Sequence, residues 1–295
     1  MHKVGFIGLG LMGAPMALNV ARAGYPLIVY NRSEQKAASH REAGASVADT
    51  PRALAGESDV IITMLSDASA VLAVLEGETG VLASVQPGTT LIDMSTVAPE
   101  DTRMIARLVN ESGVKLLDAP VYGSTGPATE GTLGIMVGGE EETFNRYREL
   151  LGTMGKKIFY MGPQGSGALV KLGFNLIVAA QVAALAEAMT LTKKGGLDQD
   201  LVRKVITSSG INSGLIERKA ENISTNQFAP AFPLKHMHKD LHLMVRTAEE
   251  LGVPLPATGV IHQLFTTARD RGLADLDFSA IYRLLAEMAG IGNEA

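Results

Sequence analysis

Val4-Gly5-Phe6-Ile7 runs into Gly8-Leu9-Gly10-Leu11-Met12-Gly13 and then into Ala14-Pro15-Met16-Ala17-Leu18-Asn19-Val20-Ala21. An apolar run, a glycine-rich turn and a helix start, in that order, make the strand–turn–helix unit of a dinucleotide site. Gly8 permits the tight turn, Gly10 lets the backbone approach a pyrophosphate, and Gly13 lets the helix pack closely on the strand. The pyrophosphate would rest on the unpaired N–H groups and positive dipole end of that helix. Gly8, Leu9, Gly10, Leu11, Met12 and Gly13 are therefore candidate cofactor-binding residues.

The next informative position lies about 20 residues on, where an NAD site carries an acid for the ribose 2′-hydroxyl. Here the second apolar run, Leu27-Ile28-Val29-Tyr30, is followed by Asn31-Arg32-Ser33, with no carboxylate. The planar donor fork of Arg32 can pair with a 2′-phosphate, and Asn31 and Ser33 add neutral hydrogen bonds. NADP(H) is thus expected over NAD(H), with Glu34 opposing that preference.

A chain of 295 residues predicts two domains. Apolar content of 46% with abundant Gly and Ala fits closely packed helices and a buried sheet. The net charge of −5 and the lack of any basic cluster argue against nucleic acid or an anionic membrane as partner. Without cysteine there is no disulfide, thiol nucleophile or Cys-ligated metal. The apolar stretch Leu172–Leu191 contains Asn175, Gln181 and Glu187 and reads as a buried helix, not a membrane span. The N-terminus enters the first strand without a signal-peptide pattern, so a cytoplasmic location is expected.

Up to about residue 160, short β-branched runs alternate with amphipathic stretches, which predicts a parallel sheet covered by helices. The expected strands are Val4–Gly8, Leu27–Tyr30, Val60–Met64, Thr90–Asp93, Lys115–Asp118, Gly134–Val137 and Lys157–Tyr160. Expected helices are Pro15–Ala23, Glu34–Glu42, Pro51–Ala55, Ala68–Leu75, Pro99–Ser112 and Glu141–Met154. From Ala168 the pattern is helix after helix. The fold expected is a Rossmann-type doubly wound α/β domain over 1–163, followed by an all-α domain over 164–295.

Two further segments carry chemistry. Lys171 lies early in the long apolar helix, and Asn175 is four residues on, on the same face. A lysine in apolar surroundings is costly unless used or paired. Burial would lower its pKa, so that its ammonium readily gives a proton to a carbonyl oxygen while Asn175 orients the substrate. The second segment, Asp118-Ala119-Pro120-Val121-Tyr122-Gly123-Ser124-Thr125-Gly126-Pro127-Ala128, follows a strand at the C-terminal edge of the sheet. Backbone N–H groups at Gly123 and Ser124 would cradle a carboxylate there, if the stretch is more than a tight structural loop. Asp93-Met94-Ser95-Thr96 and Met64-Leu65-Ser66 end strands at the same edge and are placed to line the nicotinamide half of a cofactor.

Together these segments resemble the β-hydroxyacid dehydrogenases, which include 3-hydroxyisobutyrate dehydrogenase, tartronate semialdehyde reductase and glyoxylate/succinic semialdehyde reductase. The resemblance spans the chain and rests on FIGLGLMGAPMALNV, DAPVYGSTGPATEGTL, GALVKLGFN and FPLKHMHKDL in that order. It implies that Lys171 is the catalytic lysine, that Asn175 orients the substrate, and that Tyr122, Gly123 and Ser124 form its carboxylate loop. It further implies cofactor contacts at Met64, Leu65, Thr96, Phe232 and Lys239, and a homodimer or homotetramer. PVYGS, FPLKHMHKD and LADLDFSA look most like the glyoxylate/succinic semialdehyde reductase branch. The chain departs from many relatives at Tyr122 (commonly Ser), at Thr125-Gly126 (a Lys pair in the reductase branch) and at Phe174 (commonly Asn). The Tyr122 phenol is expected to reshape or narrow the carboxylate site.

Competing readings are weaker. His238 and His242 have helical metal-ligand spacing but no third ligand or HExxH context. No GxSxG elbow supports a hydrolase. Imine-reducing relatives commonly lack the lysine, and a sensor or scaffold on this fold would not need Lys171, Asn175 and the anion loop. The expected reaction is hydride transfer between NADP(H), or NAD(H), and a small carboxylate-bearing aldehyde or hydroxy acid, with Lys171 as general acid/base.

Overall fold

The computed structural model describes residues 1–292 and resolves the chain into two compact units, Met1–Lys171 and Leu172–Ala295. The last three residues of the expected helical domain, 293–295, lie outside the described residues.

The first unit holds nine strands: β1 (Val4–Ile7), β2 (Leu27–Tyr30), β3 (Ser46–Val47), β4 (Val60–Thr63), β5 (Thr90–Asp93), β6 (Lys115–Asp118), β7 (Val121–Tyr122), β8 (Leu133–Gly139) and β9 (Gly155–Gly162). Its helices are α1 (Gly13–Arg22), α2 (Ala38–Glu42), α3 (Pro51–Gly56), α4 (Ala68–Leu75), α5 (Pro99–Asn110), α6 (Thr125–Glu130) and α7 (Glu141–Leu151). The strand order β3-β2-β1-β4-β5-β6 is parallel throughout and is that of a doubly wound Rossmann sheet. Alternate residues feed two cores. Val4, Phe6, Val29 and Ile62 face one side with Met16, Val20 and Tyr147, whereas Ile7, Ile28, Ile61 and Leu91 face the other with Leu54, Val71 and Ile105. Burial on both faces explains why these strands read as continuous apolar runs.

The sheet is not wholly parallel, as the alternation had suggested. β8 lies antiparallel to β6 and β7, and β9 returns parallel to β8. The stretch between Asp118 and Leu133 is consumed by β7 and α6, which leaves no crossover helix of the length a parallel return needs. β3, β7 and α6 are too short to leave a periodic signal, and the expected helix over Glu34–Glu42 opens as a 3-10 turn, Glu34–Ala37.

The long helix α8 (Ser166–Lys194) runs from the first unit into the second, which continues with α9 (Gln199–Thr207), α10 (Gly214–Ser224), α11 (Leu234–Leu251), α12 (Pro256–Ala268) and α13 (Ile281–Met288). α8 has the length and apolarity of a membrane span, but Leu172, Asn175, Ala179, Val182, Ala186 and Met189 form a buried stripe at helical spacing. The Asn175 amide on this stripe donates to Asp240 of α11 at 2.6 Å. Inside the second unit the Lys219 ammonium holds both carboxylate oxygens of Asp277 at 2.7 and 2.8 Å. Asp277 also accepts from the Phe232 amide and from Ser279, fastening the turn before α13 to the segment that precedes α11.

Candidate active site

The glycine-rich turn has the geometry its sequence requires. Gly8 adopts φ +103°, and a Cβ there would lie 2.3 Å from the Met64 carbonyl oxygen and 2.9 Å from Leu65 Cδ2. Met64 and Leu65, at the end of β4, are thereby packed directly against the first glycine. A Cβ at Gly13 would sit 1.9 Å from the Gly8 oxygen, so only glycine lets α1 begin this close to the turn. Gly10 is exposed, and a Cβ there would meet nothing within 4 Å. This open backbone ahead of a helix N-terminus fits a pyrophosphate, because no atom of the described residues crowds Gly10. Leu9 is buried, Leu11 is 56% exposed, and Met12 packs on the core.

The Asn31 amide serves the turn itself. Its Oδ1 accepts from the Leu9 N–H at 2.9 Å and its Nδ2 donates to the Ser33 carbonyl at 3.0 Å. Arg32 and Ser33 are exposed at the same end of the sheet. Glu34, the acid expected to oppose a phosphate, is paired with Arg41 at 3.3 Å.

At the ends of β4 and β5, buried Asp93 accepts from Thr63 Oγ1 at 2.8 Å and from the Ser95 amide at 3.1 Å. Ser95 Oγ in turn accepts from the Leu65 amide at 2.9 Å, which ties the two strand ends together beside half-buried Thr96. Asp118 pairs with Asp93 across β5 and β6 and is 1% exposed. Burial, reinforced by the charge of Asp93, pushes its carboxyl up to about 6 against the hydrogen bonds from Gly165 and Ala168 that lower it.

Downstream of Asp118, Gly123 has φ +120° and is exposed, and half-buried Ser124 opens α6. What had read as one continuous loop is in fact β7 followed by a six-residue helix. The Tyr122 ring lies over Gly134, its partner across β7 and β8, and a Cβ at Gly134 would fall 2.0 Å from the ring. The phenol is therefore laid along β8.

Lys171 is 8% exposed and Asn175 is 3% exposed, one helical turn apart on α8. The Asp240 carboxylate that fixes Asn175 is 1% exposed, and the Lys239 ammonium lies 3.1 Å from its other oxygen. Phe232 is half-buried, with its ring edge-on to Phe278 at 5.7 Å. The sequence reading missed Asp240 and the role of Asp118. Asp240 did leave a signal: it falls on the apolar stripe Met237, Leu241, Met244 of α11, where an unpaired acid is not tolerated. Among the described residues no three His, Asp or Glu side chains converge as a metal would require, although the His238 and His262 rings stack at 5.0 Å. Burial and nearby Arg269 hold His238 down at about 4.

Comparison with known proteins agrees with this geometry. Residues 3–162 match the family model of the NAD binding domain of 6-phosphogluconate dehydrogenase. Residues 165–285 match that of the NAD-binding domain of NADP-dependent 3-hydroxyisobutyrate dehydrogenase. The chain is 38% identical to 2-(hydroxymethyl)glutarate dehydrogenase of Eubacterium barkeri, over 98% of this chain and 96% of the relative. It is 39% identical to 2-hydroxy-3-oxopropionate reductase of Escherichia coli, over 97% and 98%. With glyoxylate/succinic semialdehyde reductase 1 of Arabidopsis thaliana the identity is 35% over 95% and 96%. A solved structure of Mycobacterium tuberculosis 3-hydroxyisobutyrate dehydrogenase with L-serine superimposes with a TM-score of 0.86 at 33% identity, over 97% of this chain and 99% of that one. The Rossmann turn, the helical second half and these full-length relatives make the chain a member of the β-hydroxyacid dehydrogenase family, an NAD(P)-dependent dehydrogenase/reductase acting on CH–OH groups.

Proposed function

We propose that this enzyme interconverts a small carboxylate-bearing aldehyde and its hydroxy acid with NADP(H), using Lys171 as general acid and base. The observation that carries the reading is a buried lysine one turn from a buried asparagine, the latter oriented by Asp240 at 2.6 Å. When bound, the nicotinamide supplies or accepts the hydride at the carbonyl carbon. Lys171 gives a proton to the carbonyl oxygen in reduction and takes it from the hydroxyl in oxidation. Asn175 orients that oxygen, and the backbone at Gly123 and Ser124, with Tyr122 beside it, holds the substrate carboxylate. Gly8 to Gly13 receive the pyrophosphate and Arg32 the 2′-phosphate, with Asn31 and Ser33 shaping the turn around it. Met64, Leu65, Thr96, Phe232 and Lys239 complete the cofactor contacts.

The active form proposed is a homodimer or homotetramer in the cytoplasm. Support for self-association comes from α9, none of whose residues is buried, and from exposed Leu191, Leu201 and Val205.

The test follows NADPH oxidation with glyoxylate, succinic semialdehyde, tartronate semialdehyde and methylmalonate semialdehyde, with Lys171→Ala alongside. Wild type is expected to turn over at least one of them. The variant should bind NADPH normally and lose about 10²- to 10⁴-fold in turnover. Near-normal turnover by the variant would remove Lys171 from the chemistry. Turnover confined to the last two aldehydes would favour a tartronate- or 3-hydroxyisobutyrate-type enzyme.

A further inference from the structure

We propose that Asp118 is the positioning residue of Lys171, setting where the lysine helix stands on the sheet. Asp118 closes β6 at the edge from which the Gly123–Ser124 segment departs. Its Oδ1 accepts from the Gly165 amide at 2.9 Å and from Gln164 Nε2 at 3.0 Å, and its Oδ2 accepts from the Ala168 amide at 2.9 Å. Gly165 and Ala168 supply amides at the first turn of α8, where N–H groups have no intrahelical acceptor. A strand carboxylate thus caps a helix that begins far later in the chain, and its charge matches the helix dipole.

Contact at this dock is backbone on backbone. A Cβ at Gly167 would lie 2.4 Å from the Met136 oxygen and 2.8 Å from the Asp118 oxygen. A Cβ at Gly138 would lie 2.6 Å from Asp118 Oδ1 and 2.9 Å from the Gly167 nitrogen. With no side chain of these glycines as a spacer, the rotation and height of the first turn of α8 are set by two backbone hydrogen bonds to one carboxylate, which Gln164 Nε2 also holds. Lys171 follows Ala168 by three residues and so lies on the same side of the helix. Its ammonium is referenced to the strand end that also leads into the carboxylate segment. An apolar residue at 118 could fill the space but would leave these buried donors unmet.

The inference rests on the reading of Lys171 as the proton-transferring group, and the test separates the two. Asp118→Asn keeps the shape and turns an NH2 group toward one of the donors. With the same aldehydes as probes, kcat is expected to fall about 10- to 100-fold, the scale of a small misplacement of a catalytic group. The NADPH Kd by fluorescence titration should stay within about twofold, since Gly8 to Gly13 are untouched. In the Lys171→Ala background the loss should vanish, so that the double variant is no slower than Lys171→Ala alone. Full kcat in Asp118→Asn, or losses that multiply in the double variant, would overturn the proposal. Near-normal turnover in Lys171→Ala alone would overturn the reading beneath it and this proposal with it. If Asp118→Asn loses NADPH binding through misfolding, Gly167→Ala decides instead. It leaves the acceptors of Asp118 in place and wedges the turn off the sheet, so full kcat there also overturns the proposal.

Discussion

Two residues past the end of β2, Arg32 is exposed and Glu34, the acid that would repel a phosphate there, is engaged by Arg41. Asn31, expected to add a neutral hydrogen bond beside Arg32, has its amide oxygen engaged by the Leu9 N–H and its amide nitrogen by the Ser33 carbonyl. Discrimination between the two nicotinamide cofactors is therefore expected to reside in Arg32. Arg32→Ala should weaken NADPH binding about tenfold or more, the worth of a charge-assisted hydrogen bond, and barely change NADH. Parallel titrations of the two cofactors check this, and equal losses would mean that Arg32 does not read the 2′-phosphate. At Tyr122 the bulk is accommodated by Gly134, whose missing side chain makes room for the ring.

At the scale of elements, α9 carries an apolar face that nothing among the described residues buries. Leu201 and Val205 are four residues apart on one face and each is 62% exposed. An amphipathic helix with no buried residue calls for a cover. The paired substitution Leu201→Glu and Val205→Glu should convert the proposed oligomer to a smaller species in sedimentation velocity, with secondary structure unchanged by circular dichroism. An unchanged sedimentation coefficient would exclude α9 from the interface. α8 is long and apolar enough for a membrane, and it is two-faced: its stripe of Leu172, Asn175, Ala179, Val182 and Ala186 is buried, whereas Ile177 and Leu191 are exposed.

For the whole molecule, the raised carboxyl of Asp118 links stability to pH. Between its ordinary value of 3.8 and about 6 the folded chain holds a proton that the unfolded chain has released. This contribution is fully present below 3.8 and is lost as pH rises through 6. In urea unfolding, the stability of wild type relative to Asp118→Asn should decline by on the order of 3 kcal/mol across that window and then level off. A flat difference would show that Asp118 does not titrate there. The sequence alone determined what depends on neighbours along the chain. The glycine turn at 8–13, the buried parallel strands and the run of helices after residue 166 were legible because periodicity and glycine spacing are local properties. Lys171 was also legible, as a charge in an apolar helix one turn from Asn175. Tertiary structure decided everything that joins distant segments. The antiparallel return of β8 against β6, the engagement of Asn31 by Leu9, the capping of α8 by Asp118 and the grip of Asp240 on Asn175 all link residues 20 or more positions apart. No local pattern encodes such pairs, because buried donors and acceptors choose partners by proximity in space.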